Sequence, residues 1–191
     1  IERVAHEAVL DLADDGVVYA EIRFAPELHQ QLGLELEDVV EAVTSGFRRG
    51  EADVADTGRQ IVANTILCAM RTEHRSVEIA RLVDRLRAWD DKVVAFDLAG
   101  AETGFAPSLH AEALEFARSA LLNITIHASE PPDLELISDA LVHGAHRIGH
   151  GVRLRSDTNL ATGGDDDDLE LGPLAQYVLD HQIHLEMAPT C

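Results

Sequence analysis

Short runs rich in β-branched and aromatic residues alternate along this chain with longer stretches whose apolar positions recur every three or four residues. The first pattern is that of strands, the second that of amphipathic helices. Strands are expected at Val17 to Phe24, Gln60 to Ala69, Val93 to Leu98, Asn123 to His127, Arg147 to His150 and Ile183 to Met187. Helices are expected at Leu36 to Val54, Ser76 to Trp89, Ser108 to Leu122, Leu134 to Val142 and Leu174 to Asp180. Strands joined by crossover helices build a parallel sheet.

Residues of chemical interest recur at the C-terminal ends of these strands: Arg23, Arg71, Asp97 with Gly100, His127 with Glu130, His150, and Glu186. A (β/α)8 barrel assembles its active site at that face, from several strand ends at once. An open, doubly wound sheet would instead call for a glycine-rich phosphate loop after its first strand, and neither G-x-G-x-x-G nor a P-loop occurs. The expected fold class is therefore α/β, a TIM-type (β/α)8 barrel, here incomplete. Six strands stand where a closed barrel has eight. One unit is expected to be missing at each end, with residues 1–191 forming a single partial barrel domain whose unpaired strand edges invite association.

The composition supports a packed core, at 46% hydrophobic and 26% charged over 191 residues. Charge narrows the partners. With 35 acidic residues against 15 Lys and Arg, the net charge of −20 repels a phosphate backbone, so neither nucleic acid nor an anionic membrane is expected to bind. Two cysteines, Cys68 and Cys191, form no C-x-x-C pair and read as reduced thiols. No run is long and apolar enough to span a bilayer, and Ile1 opens no secretory signature, which points to the cytoplasm. The run Gly163 to Glu170 (GGDDDDLE) reads as a solvated loop and lacks the ligand spacing of an EF-hand calcium site.

His127 ends an alternating strand on the same face as Thr125. That placement suits a metal ligand, although a lone histidine is more often a hydrogen-bonded packing residue. Glu130 follows three residues later, within reach of the same cavity. Metal-assisted hydrolysis needs an activated water and a separate carboxyl group that moves protons, and this pair supplies one part of each. Read alone, Glu130 is equally a helix-start charge. The segment RIGHG (Arg147 to Gly151) places His150 between glycines that permit close approach, and DLAGAE (Asp97 to Glu102) sets Gly100 just past a strand, where its N–H can donate to a ligand. In isolation each is an ordinary turn.

In this order, on consecutive strands, VVYAEIRFAPELH, NTILCAMR, VVAFDLAGAETGF, ITIHASE, HRIGHGVRL and HLEMAPT resemble the second to seventh strands of the adenosine deaminase family, among the amidohydrolase barrels. The resemblance implies hydrolytic conversion of adenosine, or deoxyadenosine, to inosine and ammonia. It implies that His127 is a ligand of a catalytic Zn2+ and that Glu130, kept protonated in a desolvated pocket, donates a proton to purine N1. His150 would orient or deprotonate the attacking water, and the Gly100 N–H would hold purine N3. The partner so implied is a small-molecule purine nucleoside. Neighbouring readings are a deaminase of adenine or another adenine nucleoside, and a degenerate barrel that binds without catalysis. Cytidine-deaminase chemistry is disfavoured, because its H-x-E with P-C-x-x-C signature is missing.

Three departures qualify the match. The family's H-x-H on the first strand and aspartate on the eighth have no counterpart here, so the isolated chain is expected to be inactive. Ser129 stands where the family usually has glycine, which would strain the turn if that position requires positive φ. Ala188 replaces a usual cysteine and is expected to alter packing only.

Overall fold

Three alanine- and valine-sized residues at four-residue spacing, Ala5, Val9 and Ala13, form the buried stripe of the first helix, α1 (Glu2–Asp14). The apolar pattern had not singled this helix out. It lies on α2 (Leu36–Asp56), whose start is fixed by a capping box in which Glu35 and Asp38 satisfy each other's backbone N–H groups. Two glycines make the crossing close: a Cβ on Gly46 would meet the Glu2 carbonyl oxygen and lie 2.7 Å from Ala5 Cβ, and one on Gly50 would lie 2.7 Å from Val9 Cβ.

A computed structural model describes residues 1–131, 133–160 and 169–188. The strands are β1 (Tyr19–Phe24), β2 (Val62–Met70), β3 (Val93–Ala99), β4 (Ile124–Ala128), β5 (Arg147–His150), β6 (Thr158–Leu160), β7 (Leu169–Leu171) and β8 (His184–Glu186). The remaining helices are α3 (Ser76–Leu86), α4 (Ala111–Ser119), α5 (Glu135–Val142) and α6 (Pro173–Asp180). The large sheet has the order β1-β2-β3-β4-β5-β8. β1 runs parallel to β2 with Tyr19 opposite Val62, β4 parallel to β5 with His127 opposite Gly149, and β5 parallel to β8 with Gly149 opposite Glu186. Seven consecutive residues of β2 are buried, which is why it reads as an unbroken apolar run rather than an alternation.

The chain divides into two compact units, Ile1–Ala69 with Glu78–Asp97, and Met70–Val77 with Leu98–Cys191. In the first, Val9, Val43, Phe47, Val54, Ile61 and Ala63 form a core against which Leu10, Ile22 and Phe24 pack. The loop before β3 is tied to α2 through Asp90, whose carboxylate accepts from Arg48 at 2.6 Å and from the Thr44 hydroxyl at 2.9 Å. In the second unit Leu114, Ile124, Ile126, Ile137 and Ile148 are fully buried. There the Asp157 carboxylate accepts from the Ala175 N–H at 2.8 Å, capping the start of α6.

The expected elements are found with shifted ends. The helix expected over Ser108 to Leu122 splits into a 3-10 turn, Pro107–His110, and α4; it stops where Leu121 takes φ +56°. α3 ends at Leu86 rather than Trp89. The loop expected from Gly163 to Glu170 is corrected at its end, where Leu169 and Glu170 belong to β7, paired antiparallel with β6. Residues 161–168, with the aspartate run, and Pro189 to Cys191 lie outside the described residues, as does Pro132. No described helix is long and apolar enough to cross a membrane.

Candidate active site at the ends of β4 and β5

His127 is the fourth residue of β4 and the only half-buried one in a strand that is otherwise buried. Its ring lies over Gly149 of β5: a Cβ there would come within 2.9 Å of His127 Cγ and 3.0 Å of Cδ2. The glycine of RIGHG thus makes room for an imidazole of the neighbouring strand. His150, the next residue, takes φ +66°, as does Gly151 at +67°. Its ring stands edge-on to that of His127, with centroids 5.3 Å apart and planes inclined at 62°.

Glu130 completes the group, with Oε2 3.8 Å from His150 Nε2. Its side chain is 58% exposed and that of His150 12%. The desolvated pocket expected around Glu130 is therefore not formed by the described residues. The turn that carries Glu130 passes through Ser129, which is fully buried and adopts φ +65°, so the position does require the conformation that favours glycine. The Ser129 hydroxyl accepts from the Arg153 N–H at 3.2 Å, joining this turn to the loop after β5.

Gly100 follows β3 directly with φ +101°, and a Cβ on it would lie 2.9 Å from Met70 Cε. Arg71, 1% exposed, connects this region to β4: its guanidinium donates to the carbonyls of Leu98 at 3.2 Å, Phe105 at 3.1 Å and His127 at 2.6 Å. The Arg71 carbonyl in turn accepts from the His110 ring at 3.0 Å, and the other His110 nitrogen meets the Ser76 hydroxyl at 2.9 Å. Burial holds the His110 pKa below the usual imidazole value, so it is a neutral packing histidine. Arg71, expected at a strand end, serves main-chain carbonyls, whereas Glu102, which holds the Ser129 turn, escaped the sequence reading as a site residue because it binds main-chain N–H groups, and these leave no side-chain pattern.

The other strand-end residues go elsewhere. Arg23 pairs with the fully buried Asp97 at 3.5 Å, and Cys68 donates to the same carboxylate at 3.2 Å. Arg147 faces Glu186 at 3.5 Å. Ala188 is half-buried.

Zinc, expected from the resemblance, needs three protein ligands and a water in a hydrolytic site. Among the described residues no group of three or more His, Cys, Asp or Glu comes together to hold a metal ion. The described residues therefore do not fit zinc on their own. What they provide is two adjacent imidazoles and a carboxylate on rigid strand ends, an arrangement suited to moving protons beside a bound ligand.

Residues 1–191 match the sequence pattern of the family described as adenosine deaminase. Adenosine deaminase 1 of Streptomyces coelicolor is 49% identical over 189 residues, 98% of this chain and 46% of that protein. The chain spans about half the length of the curated relatives it matches. Among solved structures, the adenine deaminase of Arthrobacter aurescens aligns with a TM-score of 0.73 at 26% identity, over 96% of this chain and 50% of that one. A zinc-bound amidohydrolase from Burkholderia ambifaria aligns with a TM-score of 0.69 at 25% identity, over 82% of this chain and 42% of its own. The α/β fold is that of TIM-type deaminase barrels, represented here by six parallel strands. With the family's pattern running from the first residue to the last, and relatives of that name 49% and 50% identical over nearly all or all of its length, the chain belongs to the adenosine deaminase family.

Proposed function

We propose that the protein carrying these residues hydrolyses adenosine, or deoxyadenosine, to the inosine nucleoside and ammonia. Water adds to C6 of the purine, one of its protons passing to a base while N1 takes a proton from an acid. The amino group then takes the proton held by the base and leaves as ammonia when the C6–N bond breaks, and the new C6 hydroxyl gives up its proton to restore the acid and becomes the carbonyl. The observation that carries the proposal is the His127, His150 and Glu130 group, at the ends of β4 and β5 of a chain that matches the deaminase family over its whole length. In this reading Glu130 is the acid that protonates N1. His150, 3.8 Å from it, orients the attacking water and accepts its proton. The N–H of Gly100, in a turn only glycine adopts without strain, donates to N3. His127 is read as a ligand of a zinc ion whose other ligands lie outside the described residues. The zinc-bound relative and the family support a metal, and no step is derived through it.

Adenosine is favoured over free adenine as substrate, because the relative at 49% identity is an adenosine deaminase whereas the adenine deaminase is 26% identical. The test is to express the full reading frame that encodes these residues and measure kcat/KM for both compounds by chromatographic detection of inosine and hypoxanthine. The proposal expects adenosine to exceed adenine by at least about 100-fold, the discrimination that a site built to hold polar ribose groups provides. Preference for adenine would establish the alternative substrate. Failure with every adenine nucleoside would favour a barrel that binds without catalysis.

A further inference from the structure

Glu102 closes the DLAGAE segment and is 5% exposed, yet its carboxylate has a full complement of work on the main chain of another strand end. Oε2 accepts from the Ser129 N–H at 2.6 Å and Oε1 from the Glu130 N–H at 3.2 Å. Successive N–H groups in a turn with one left-handed residue converge to form an anion-binding concavity. Here Ser129 supplies the left-handed residue, at φ +65°, and the anion is the side chain of Glu102. Glu102 is itself held: its carbonyl accepts from the Phe105 N–H at 3.0 Å, and the Phe105 carbonyl accepts from the buried Arg71 guanidinium at 3.1 Å.

We propose that Glu102 is a positioning residue for deamination, fixing the strained backbone at Ser129 and Glu130 so that the Glu130 carboxyl is aimed at His150. The proposal rests on the deaminase reading of Glu130. A side chain as exposed as that of Glu130 gets little orientation from packing, and its direction is set by its own backbone. That backbone is held on one side by two charge-assisted bonds, which are about twice as strong as neutral ones, and on the other by the bond from Arg153 to the Ser129 hydroxyl. Removing the carboxylate leaves two N–H groups without their acceptor and frees a turn that a serine does not otherwise favour. Glu130 stays present, but its aim is lost.

The test uses the protein expressed from the full reading frame, with Glu102→Gln and Glu102→Ala. Glutamine keeps the shape and one acceptor oxygen but turns an N–H toward the second backbone N–H. The expected kcat on adenosine falls about 10-fold in E102Q and about 100-fold in E102A, the scale of a misplaced catalytic group, with KM within about threefold of the parent. In the same proteins labelled with 15N-serine, the Ser129 amide proton resonates far downfield in the parent and moves upfield in E102Q. The proposal is overturned by wild-type kcat in both variants, by a loss confined to KM, or by a Ser129 amide that does not move. Should E102A fail to fold, E102Q and the amide shift decide the matter. Should the parent itself leave adenosine unchanged, the deaminase reading fails, while the amide shift still decides whether Glu102 clamps the turn.

Discussion

A serine side chain occupies a left-handed turn at residue 129, and its hydroxyl offsets part of the cost by accepting from Arg153. The two effects separate by substitution. Ser129→Gly removes a strain of about 1–2 kcal/mol and a hydrogen bond of about 1 kcal/mol, so its stability stays within about 1 kcal/mol of the parent. Ser129→Ala keeps the strain and loses the bond, for a loss of about 1 kcal/mol or more. Denaturant titration checks the order, and a stable S129A beside a weakened S129G would contradict it. The spacing of His127, Glu130 and His150 was legible because each side chain speaks for itself at a strand end. The exposure of Glu130 was not, since burial depends on what lies across the cavity. Nor was the use of Gly149, whose missing Cβ makes room for the His127 ring rather than for a ligand.

Among the elements, the strands were legible because parallel strands covered on both faces are continuous apolar runs. α1 was missed for the opposite reason: its contact stripe is alanine and valine against glycine, which closes a helix crossing tightly with little hydrophobic signal. The pair β6 and β7 has three residues in each strand, too few for any period to show. The α1–α2 crossing gives a direct prediction. Gly46→Ala gains about 1 kcal/mol of helix propensity. Its methyl group, however, would sit on the Glu2 carbonyl and 2.7 Å from Ala5 Cβ, forcing α1 outward. Overpacking of this kind costs typically about 1–3 kcal/mol, and contact with backbone rather than a flexible side chain puts it at the upper end. A net loss of about 1–2 kcal/mol in thermal or denaturant unfolding is expected; a variant more stable than the parent would show that the helices are not in close contact.

Over the whole molecule, family and fold class were legible because strand-end motifs kept their order along all 191 residues. The acidic balance, a net charge of −20, is compatible with the small-molecule purine substrate proposed. The proposed zinc site is the part that the described residues do not complete, since no group of three or more His, Cys, Asp or Glu comes together among them. Proton transfer by Glu130 is the central step of the proposed reaction. The most direct test is the steady-state rate of adenosine conversion by the protein from the full reading frame and by its Glu130→Gln variant, which keeps size and shape but has no acidic proton. The account predicts a fall in kcat of about 100- to 10,000-fold, with the fold and adenosine binding retained. A variant within about threefold of the parent rate would contradict it.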